Sequence, residues 1–494
     1  MKKFLAILLC LSMLVCMIPL VASAETTPSG TAISTLEELQ SITGTGDFYL
    51  KNDIYVDLSK LTMAIIPEGF KGNLDGNDHS ILFKDENTKE AKNVNTTANL
   101  GSILIITKCN AASIKNITIG SADAVPTITT NQANVGLIAP QTNVATRFEN
   151  VVVYGNITST RSGTLNYGLM IGKTLNQLKF YDCKAIGSIT FSVTNNLNDY
   201  VGGFVGQFYG DSSGDSGMTL TVSGCVSNVE IIQASGVSNA FSATAAGGFL
   251  GVIDQSTDPH KLNVSNSFVH YTPMMKTSAN NPVRCLGTYL GGTFVKVDNA
   301  TITRVVDDND VITTNCTTAD TLETDLALTT ENAASIRFNA PTGIRFYNNV
   351  SGVYNTLVKA FGAENVKMGT IIAPKVLIET AGAFTKEALG SLNSTTPTYL
   401  DVEFENEWYE TDGENNTYTY VGSIVNILED NYTLEFCGIG YISYNDGTGW
   451  KTVYADCGEQ GIPAFTVRGL AEAVNADPDA TDAEKAAVAK YLAQ

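Results

Sequence analysis

A short glycine motif recurs six times between residues 100 and 291 and constrains the fold of this chain more than any other feature. Each copy has glycine in second position, followed by three mostly apolar residues. The copies are LGSILI (100–105), VGLIAP (135–140), YGLMIG (167–172), VGGFVG (201–206), AGGFLG (246–251) and LGTYLG (286–291). Their second-position glycines lie 35, 32, 34, 45 and 40 residues apart, a period typical of proteins in which one small unit stacks on the next.

A second motif follows each hexad, and a short apolar run follows most copies of that motif. The second motif reads IKNI (114–117), FENV (148–151), FYDC (180–183), VSGC (222–225), VSNS (264–267) and VDNA (297–300). Its third residue tolerates left-handed backbone and predicts a bend at Asn116, Asn150, Asp182, Gly224, Asn266 and Asn299. Three short strands per repeat predict a β-solenoid over residues 25–318. A β-sandwich with coincidental glycines is the alternative.

The VGGFVG and AGGFLG copies, with the Cys or Ser motif downstream, resemble the GLUG repeats of bacterial surface proteins. The entry segment resembles the opening of many secreted right-handed parallel β-helices in LEELQSI (36–42), GDFYLKNDIYV (46–56) and FKGNLDGNDHSI (70–81). Two copies depart from the pattern, since VGLIAP ends in Pro140 and LGSILI lacks the final glycine. The resemblance implies a right-handed parallel β-helix. It leaves function open, because such helices occur in adhesins, protease-associated modules and polysaccharide-degrading enzymes.

The entry segment also predicts a short capping helix. Ser34 and Glu37 have capping-box spacing, and Leu36, Leu39 and Ile42 fall on one helical face. Such a helix covers the apolar end that a solenoid exposes at its first turn. A solvated linker helix is the alternative.

Residues 1–24 read as a signal peptide, with two lysines, an apolar run over 4–21 and Ala22-Ser23-Ala24 before the cleavage point. A membrane anchor is disfavoured by Pro19 and the small residues that follow it. We therefore expect a secreted protein, extracellular or associated with the cell surface. Loss of Lys2 and Lys3 leaves 28 basic and 50 acidic residues, a net charge of −22. This excess disfavours nucleic acid and anionic lipid as partners, and no later segment is apolar enough to predict membrane insertion.

The glycine hexads stop near residue 320. The polar stretch 319–334 predicts a linker, and residues 335–494 predict a smaller α+β domain. Its GIRF strand (343–346), GAENVKMGTIIAP unit (362–374) and YTYVGSIVNI stretch (418–427) resemble a C-terminal domain common on secreted Gram-positive proteins, for which no function is implied. Limited proteolysis is expected to cut between about 316 and 335 and to leave two stable fragments.

Catalytic signals are sparse in the predicted solenoid. Two acidic clusters flank its glycine hexads, namely Asp199, Asp211 and Asp215, and Asp254, Asp258 and His260. The second lies in a loop where Asp and Pro are ordinary turn formers. With three histidines far apart, no Ser/His/Asp triad and no zinc site are predicted. No catalytic or cofactor-binding residue is therefore assigned.

The run DVEFENEWYETDGE (401–414) places alternating carboxylates on one face of a predicted strand: Asp401, Glu403, Glu405 and Glu407. One interpretation is a site for a divalent metal, with Ca²⁺ as the ion. The alternative is a solvated edge strand whose charges block aggregation, which requires no cofactor.

The sequence thus favours a non-catalytic surface or matrix protein, a scaffold for adhesion or glycan binding. Its partner would be an extracellular glycan or a protein on a host or cell surface. The alternative is a polysaccharide-active β-helix enzyme, either a lyase or a glycoside hydrolase. A groove lined by at least three carboxylates and a lysine or arginine would favour the enzyme.

Seven cysteines remain after signal cleavage, and two pairs give structural predictions. Cys183 and Cys225 occupy equivalent places in successive repeats, so we expect buried neighbours that pack as small apolar residues, more often unbridged than bridged. In the C-terminal domain, 432–444 and 449–457 read as a β-hairpin. If Tyr444 pairs with Trp450, Cys437 faces Cys457 and a disulfide is expected; a shifted register would leave two thiols.

Overall fold

The computed structural model describes residues 29–91, 94–96, 98–191, 199–209, 218–233, 246–254, 261–270, 286–290, 313–318, 322–405, 407–414, 416–445, 449–458 and 461–493. The protein is mainly β, with parallel sheets up to residue 318 and antiparallel sheets after it. Within these residues, no helix is long and apolar enough to cross a bilayer.

Within its described residues, the first part contains helix α1 (Leu36–Gln40) and 24 strands. The strands are β1 Thr31–Ile33, β2 Asp47–Leu50, β3 Ile54–Tyr55, β4 Asn73–Asp75, β5 Ser80–Leu82, β6 Asn95–Thr96, β7 Ser113–Ile119, β8 Thr127–Thr130, β9 Asn134–Val135, β10 Ala139–Thr142, β11 Thr146–Ser159, β12 Leu165–Gly168, β13 Ile171–Thr174, β14 Leu178–Tyr181, β15 Lys184–Phe191, β16 Asp199–Gly202, β17 Val205–Tyr209, β18 Thr219–Ser223, β19 Val226–Gln233, β20 Ala246–Gly247, β21 Leu250–Asp254, β22 Lys261–Val269, β23 Leu286–Leu290 and β24 Thr313–Thr318.

The second part alternates strands with short helices. Its elements are α2 Leu322–Leu326, β25 Thr329–Arg337, β26 Gly343–Ser351, α3 Val353–Phe361, β27 Val366–Pro374, α4 Lys375–Ala381, α5 Lys386–Gly390, β28 Leu400–Glu403, β29 Glu410–Asp412, β30 Thr417–Val425, β31 Phe436–Asn445, β32 Trp450–Tyr454, β33 Ala464–Phe465, α6 Val467–Ala476 and α7 Asp482–Leu492.

Successive repeats pair in parallel, and the same positions meet. Gly168 lies opposite Gly202, which lies opposite Gly247. The second motif is also in phase, because Phe180 pairs with Phe148 on one side and with Val222 on the other. The four repeats whose hexads begin at 135, 167, 201 and 246 each contribute strands to three parallel sheets, of which the largest contains β2, β4, β7, β11, β14 and β18 as neighbours. The predicted phase of these copies is confirmed.

The last hexad is an exception, and its predicted alignment is wrong. Leu286 pairs with Leu250, which brings Gly287 level with Gly251 and not with Gly247. The pairing register depends on more than the motif. The sequence match alone therefore gave Gly287 a partner, Gly247, that lies four residues before the observed one, Gly251.

The second-position glycines are required by close backbone packing. A Cβ atom on Gly202 would overlap the carbonyl oxygen of Val205 and lie 2.8 Å from the backbone nitrogen of Gly251. At Gly136 the Met170 carbonyl oxygen would lie 2.5 Å away. The hexad is thus a tight turn pressed against the next repeat, where only hydrogen fits as a side chain.

The predicted left-handed bends are confirmed at four of their six positions. The φ angles are 50° at Asn116, 51° at Asn150, 54° at Asp182 and 63° at Gly224. The amide of Asn150 donates to the Asn116 side-chain oxygen at 3.3 Å, which links two stacked turns. Asn266 falls inside strand β22, and Asn299 lies outside the described residues.

Helix α1 forms where the capping pattern predicted, but one residue later. Its capping box joins Thr35 to Glu38, not Ser34 to Glu37. Thr35 is extended and accepts from the Glu38 backbone N–H at 3.2 Å, so it holds the N-cap position. Leu39 and Ile42 are buried and Leu36 packs against the same core, as the helical spacing predicted.

Aromatic rings from successive repeats stack inside the first part. The Phe148 and Phe180 rings are stacked and nearly parallel, with centroids 4.9 Å apart, and Phe204 lies edge-on to Phe180 at 5.2 Å. Beside them, the Cys183 backbone N–H donates to the Cys225 sulfur at 3.4 Å, and both thiols are buried and free. The prediction for this cysteine pair is confirmed.

The C-terminal part packs two antiparallel sheets against each other, and its helices bury side chains in clusters shared with both sheets. One sheet has the order β25-β26-β30-β29, and the other contains β28, β27, β31 and β32. Helix α3 ends at Gly362, and α7 begins with a capping box between Thr481 and Glu484, both as predicted. Helices α4, α5 and α6 were not predicted.

The segment predicted as a linker is folded over its described part, so that prediction is wrong. Helix α2 buries Leu322 and Leu326, and strand β25 pairs with β26 from Thr329 onward. Polar residues in this stretch occupy the exposed side, which made it look like a linker. Its buried leucines share one hydrophobic cluster with Val226 and Phe268 of the first part.

The hairpin between β31 and β32 forms, but its predicted register is wrong by one residue. Tyr444 pairs with Lys451, not with Trp450, and Cys437 lies opposite Ala464 of β33. The turn is one residue tighter than predicted, which removes Cys457 from the position opposite Cys437. Both sulfurs are free thiols.

We expect these two thiols to react in a fixed order. Burial raises the pKa of Cys437 to about 12, which suppresses its reactive thiolate, and its side chain is 1% exposed. Cys457 is only partly buried. Iodoacetamide should therefore label Cys457 in the native protein, and Cys437 only after denaturation. Peptide mapping by mass spectrometry measures this order, and a tryptic peptide in which the two cysteines are linked would contradict it.

Candidate functional site

A polar groove crosses the outer face of the large parallel sheet near its N-terminal end. Its cavity volume is about 670 Å³. We call it the polar groove, and its lining residues are Ser29, Asp47, Phe48, Asn73, Asp75, Asn77, Asp78, Ser113, Lys115, Asn116, Arg147 and Glu149.

The parallel register produces two rows of side chains in this groove. One row runs through Asp47, Asn73, Ser113 and Arg147, which pair from strand to strand. The other runs through Tyr49, Asp75, Lys115, Glu149 and Tyr181 along the same strands. Neighbouring strands lie about 4.8 Å apart, so each row offers one side chain per step along the stack.

Hydrogen bonds tie the first row together. The Asn73 amide donates to Asp47 at 2.7 Å, and the Ser113 hydroxyl donates to the Asn73 oxygen at 2.6 Å. Arg147 stacks over the Tyr181 ring, 4.3 Å from its centroid. These contacts hold planar polar groups and an aromatic ring in fixed positions before any ligand arrives.

Both cations of the groove are held in ion pairs within it. Lys115 lies 3.1 Å from the Asp75 carboxylate, and Arg147 lies 2.8 Å from Glu149. Asp75 also accepts from the Asn77 backbone N–H at 2.8 Å and from the Asn116 amide at 3.0 Å. Partial burial tends to raise the pKa of Asp75, but these hydrogen bonds and Lys115 outweigh it and hold the pKa below the usual range. Asp75 therefore stays ionised and is unsuited to act as a general acid.

The charge of the groove is negative. Four carboxylates (Asp47, Asp75, Asp78, Glu149) face two cations (Lys115, Arg147), a difference of −2. The groove therefore has the lining expected of a polysaccharide-active enzyme, namely at least three carboxylates and a lysine or arginine. A polyanionic ligand would be repelled unless cations screened it, whereas a neutral, hydroxyl-rich ligand meets donors and acceptors at no such cost.

The acidic clusters considered from sequence fall largely outside the described residues. Asp211, Asp215, Asp258 and His260 lie outside the described residues, and for Asp199 and Asp254 only the strand backbone is described. Arg147 was assigned to no site from sequence, and the structure places it next to Glu149 and in line with Asp47.

The four carboxylates predicted as a metal site do not form one ligand group. Strand β28 ends at Glu403, so the strand alternation does not extend to Glu405 and Glu407. Both oxygens of Asp401 are engaged, one by Lys386 at 2.6 Å and one by the Tyr441 hydroxyl at 2.8 Å. Among the described residues, no group of three or more His, Cys, Asp and Glu side chains has a metal-binding arrangement. Cation binding at these four residues stays a prediction.

Sequence reasoning missed the polar groove, although a signal for it was present. The residues on either side of Leu74, Ile114 and Phe148 become groove residues once those three apolar positions are aligned. The second motif already aligned Ile114 with Phe148, but the polar residues beside them were not considered as a surface, and Leu74 lies in the entry segment, which was not aligned with the repeats.

Comparison with known proteins gives no relative: no family model matches the chain, and neither a curated protein nor a solved structure does. The likeness to GLUG repeats and to a Gram-positive C-terminal domain therefore stays a prediction.

Proposed function

We propose that this protein is secreted and works outside the cell, at or near the cell surface, as a glycan-binding scaffold. Its first part would be a right-handed parallel β-helix. The support for this fold is the parallel pairing of equivalent positions in three sheets, with offsets of one repeat. The signal-like residues 1–24 support export.

The observation that carries the binding proposal is the pair of polar rows in the groove. Polar side chains recur at one strand spacing along the stack, which suits a ligand that itself repeats, such as a polysaccharide chain lying along the stacking direction. Planar amide, carboxylate and guanidinium groups match pairs of neighbouring sugar hydroxyls, and Tyr49 and Tyr181 add aromatic surface at either end of the second row. Because the groove carries net negative charge, we assign a neutral polysaccharide as the ligand.

We expect the double variant Asn73→Ala/Arg147→Ala to bind an immobilised neutral polysaccharide at least about tenfold more weakly, since it removes hydrogen-bonding groups from β4 and β11, the strands on either side of β7. Affinity electrophoresis against glucans, xylans, mannans and chitin-type polymers measures the effect. The matched control is Asn87→Ala/Lys60→Ala, which removes the same kinds of side chain from exposed positions outside the groove.

Equal retardation of both double variants would refute the groove as the binding site. Retardation by uronate polymers alone would refute the assignment to a neutral ligand. Binding to a cell-surface protein, with no polysaccharide retarding the chain, would overturn glycan binding altogether.

The second candidate function is polysaccharide cleavage, which the four carboxylates and two cations of the groove favour. It predicts new reducing ends, or unsaturated ends for a lyase, when the protein is incubated with the polysaccharide that it binds. The same incubation with Ca²⁺ and with a chelator separates metal-dependent from metal-independent cleavage. Intact polymer under both conditions would leave binding as the function.

A further inference from the structure

A second pocket lies in the C-terminal part, apart from the polar groove. It sits between helix α3, the start of β27 and the segment that follows β28, with a cavity volume of about 340 Å³. Its walls include the aromatic side chains Tyr354, Phe404 and Trp408 and the polar side chains Asn355, Lys367 and Glu403. This size falls within the range of small-molecule sites.

The aromatic wall is rigid. The Trp408 ring lies 4.5 Å from Phe404, 4.8 Å from Tyr418 and 5.7 Å from Tyr354, measured between centroids. Tyr354 is buried, and Trp408 is half-buried. An indole clamped by three rings keeps its orientation without a ligand, so binding there costs little ordering entropy.

The polar side chains of this pocket keep hydrogen-bonding groups that do not bond to the rest of the described protein. Among the described residues, the Glu403 carboxylate forms no ion pair or hydrogen bond, and the Asn355 amide forms no hydrogen bond. Lys367 has no carboxylate partner there either. Its ammonium instead lies 5.6 Å from the ring centroid of Trp450, which is 51% exposed. A carboxylate, an ammonium and an amide thus line a pocket whose wall carries an indole, and a second indole lies near the ammonium.

We propose that this pocket binds one or two units of a neutral saccharide. The single carboxylate and the single ammonium balance each other, which favours a ligand without net charge. Sugar hydroxyls both donate and accept hydrogen bonds, as these three polar groups require. The apolar face of a sugar ring suits the aromatic wall that Phe404 and Trp408 form. The pocket shares no residue with the polar groove. Evidence against saccharide binding at one of the two sites would therefore not count against binding at the other.

The test uses tryptophan emission of the full mature chain, excited at the red edge of the absorption band. The chain contains only Trp408, which lines the pocket, and Trp450, which lies near the lining residue Lys367, so the signal reports on this region and not on the polar groove. The probes are glucose, galactose, mannose, N-acetylglucosamine and their β-linked dimers. We expect a saturable change in emission with at least one of them.

Glu403→Ala and Asn355→Ala should each weaken that binding at least about tenfold, the loss expected for the hydrogen bonds removed. Glu405→Ala is the matched control, because it removes the same charge two residues away and lies outside the pocket. Trp450→Phe leaves Trp408 as sole reporter and should keep a saturable signal of smaller amplitude. Far-ultraviolet circular dichroism checks that each variant is folded.

Three results would overturn the proposal. The first is no change in emission with any probe at tens of millimolar. The second is equal affinity in Glu403→Ala and Glu405→Ala. The third is a response to short peptides with none to sugars, which would reassign the pocket to a peptide ligand.

Discussion

Replacing Gly202 by alanine is expected to destabilise the first part of the protein by about 3 kcal/mol or more, the upper end of the cost of overpacking. The new methyl group would overlap the Val205 carbonyl oxygen and press on the backbone nitrogen of Gly251 in the next repeat. Both obstacles are backbone atoms in paired strands, so neither moves without breaking parallel pairing between β16, β17 and their neighbours.

Gly69→Ala is the matched control for this substitution. Gly69 lies in the same part of the chain and needs no left-handed backbone, and a methyl group at this position would meet no atom within 4 Å. Urea unfolding followed by circular dichroism at 218 nm should show a large loss of stability for Gly202→Ala and almost none for Gly69→Ala. If the two variants unfold at the same urea concentration, the close packing of the hexad glycines is wrong.

How far the fold was predictable depended on how local each signal was. The turn positions Asn116, Asn150 and Asp182 were predictable because left-handed backbone restricts the residue type at that very position. The hexad glycines were predictable for another local reason, because the close approach of neighbouring backbone leaves no room for a Cβ atom at those positions. Register was harder, because the connection before Leu286 and the turn before Trp450 each shift the pairing without changing the strand pattern.

The polar groove and the pocket beside Trp408 could not be predicted from the sequence, for a different reason. Each joins residues from separate segments: Asp47 and Arg147 stand a hundred positions apart, and Asn355 and Glu403 about fifty. No spacing rule links such residues until the stacking or the sheet order is known. The acidic run 401–407 looked like a site because its members are neighbours in sequence, yet Asp401 bonds to Lys386 and Tyr441 instead.

The contact between the two parts of the chain leads to the second large effect. Phe361, at the end of α3, lies edge-on to Phe268 and His270 of the first part and stacks on Tyr444 of the second. Around it, Lys184 donates to the Ala360 carbonyl at 2.7 Å, and Lys359 pairs with Asp182 at 2.6 Å. Burial lowers the pKa of Lys184, and its ammonium is held against the helix C-terminus, where the helix dipole favours a cation.

We expect Phe361→Ala to cost about 2 kcal/mol, less than for a fully buried phenylalanine because this ring is only partly buried. It should also separate two unfolding events that coincide in the wild type. Emission from Trp408 and Trp450 reports on the C-terminal part, and circular dichroism at 218 nm reports on the whole chain, so the two urea transitions should move apart. Val376→Ala removes an exposed side chain from α4 of the same part and should leave them coincident.

Proteolysis gives an independent reading of the same contact. Two stable fragments from one cut between 316 and 335 would agree with the linker predicted from sequence. The shared cluster of Leu322, Leu326, Val226 and Phe268 instead predicts that such a cut destabilises both parts, because each would expose apolar surface that the other now covers. In the urea experiment, two outcomes would show that the Phe361 ring does not couple the unfolding of the two parts. Either the emission and circular dichroism transitions already differ in the wild type, or they still coincide in Phe361→Ala.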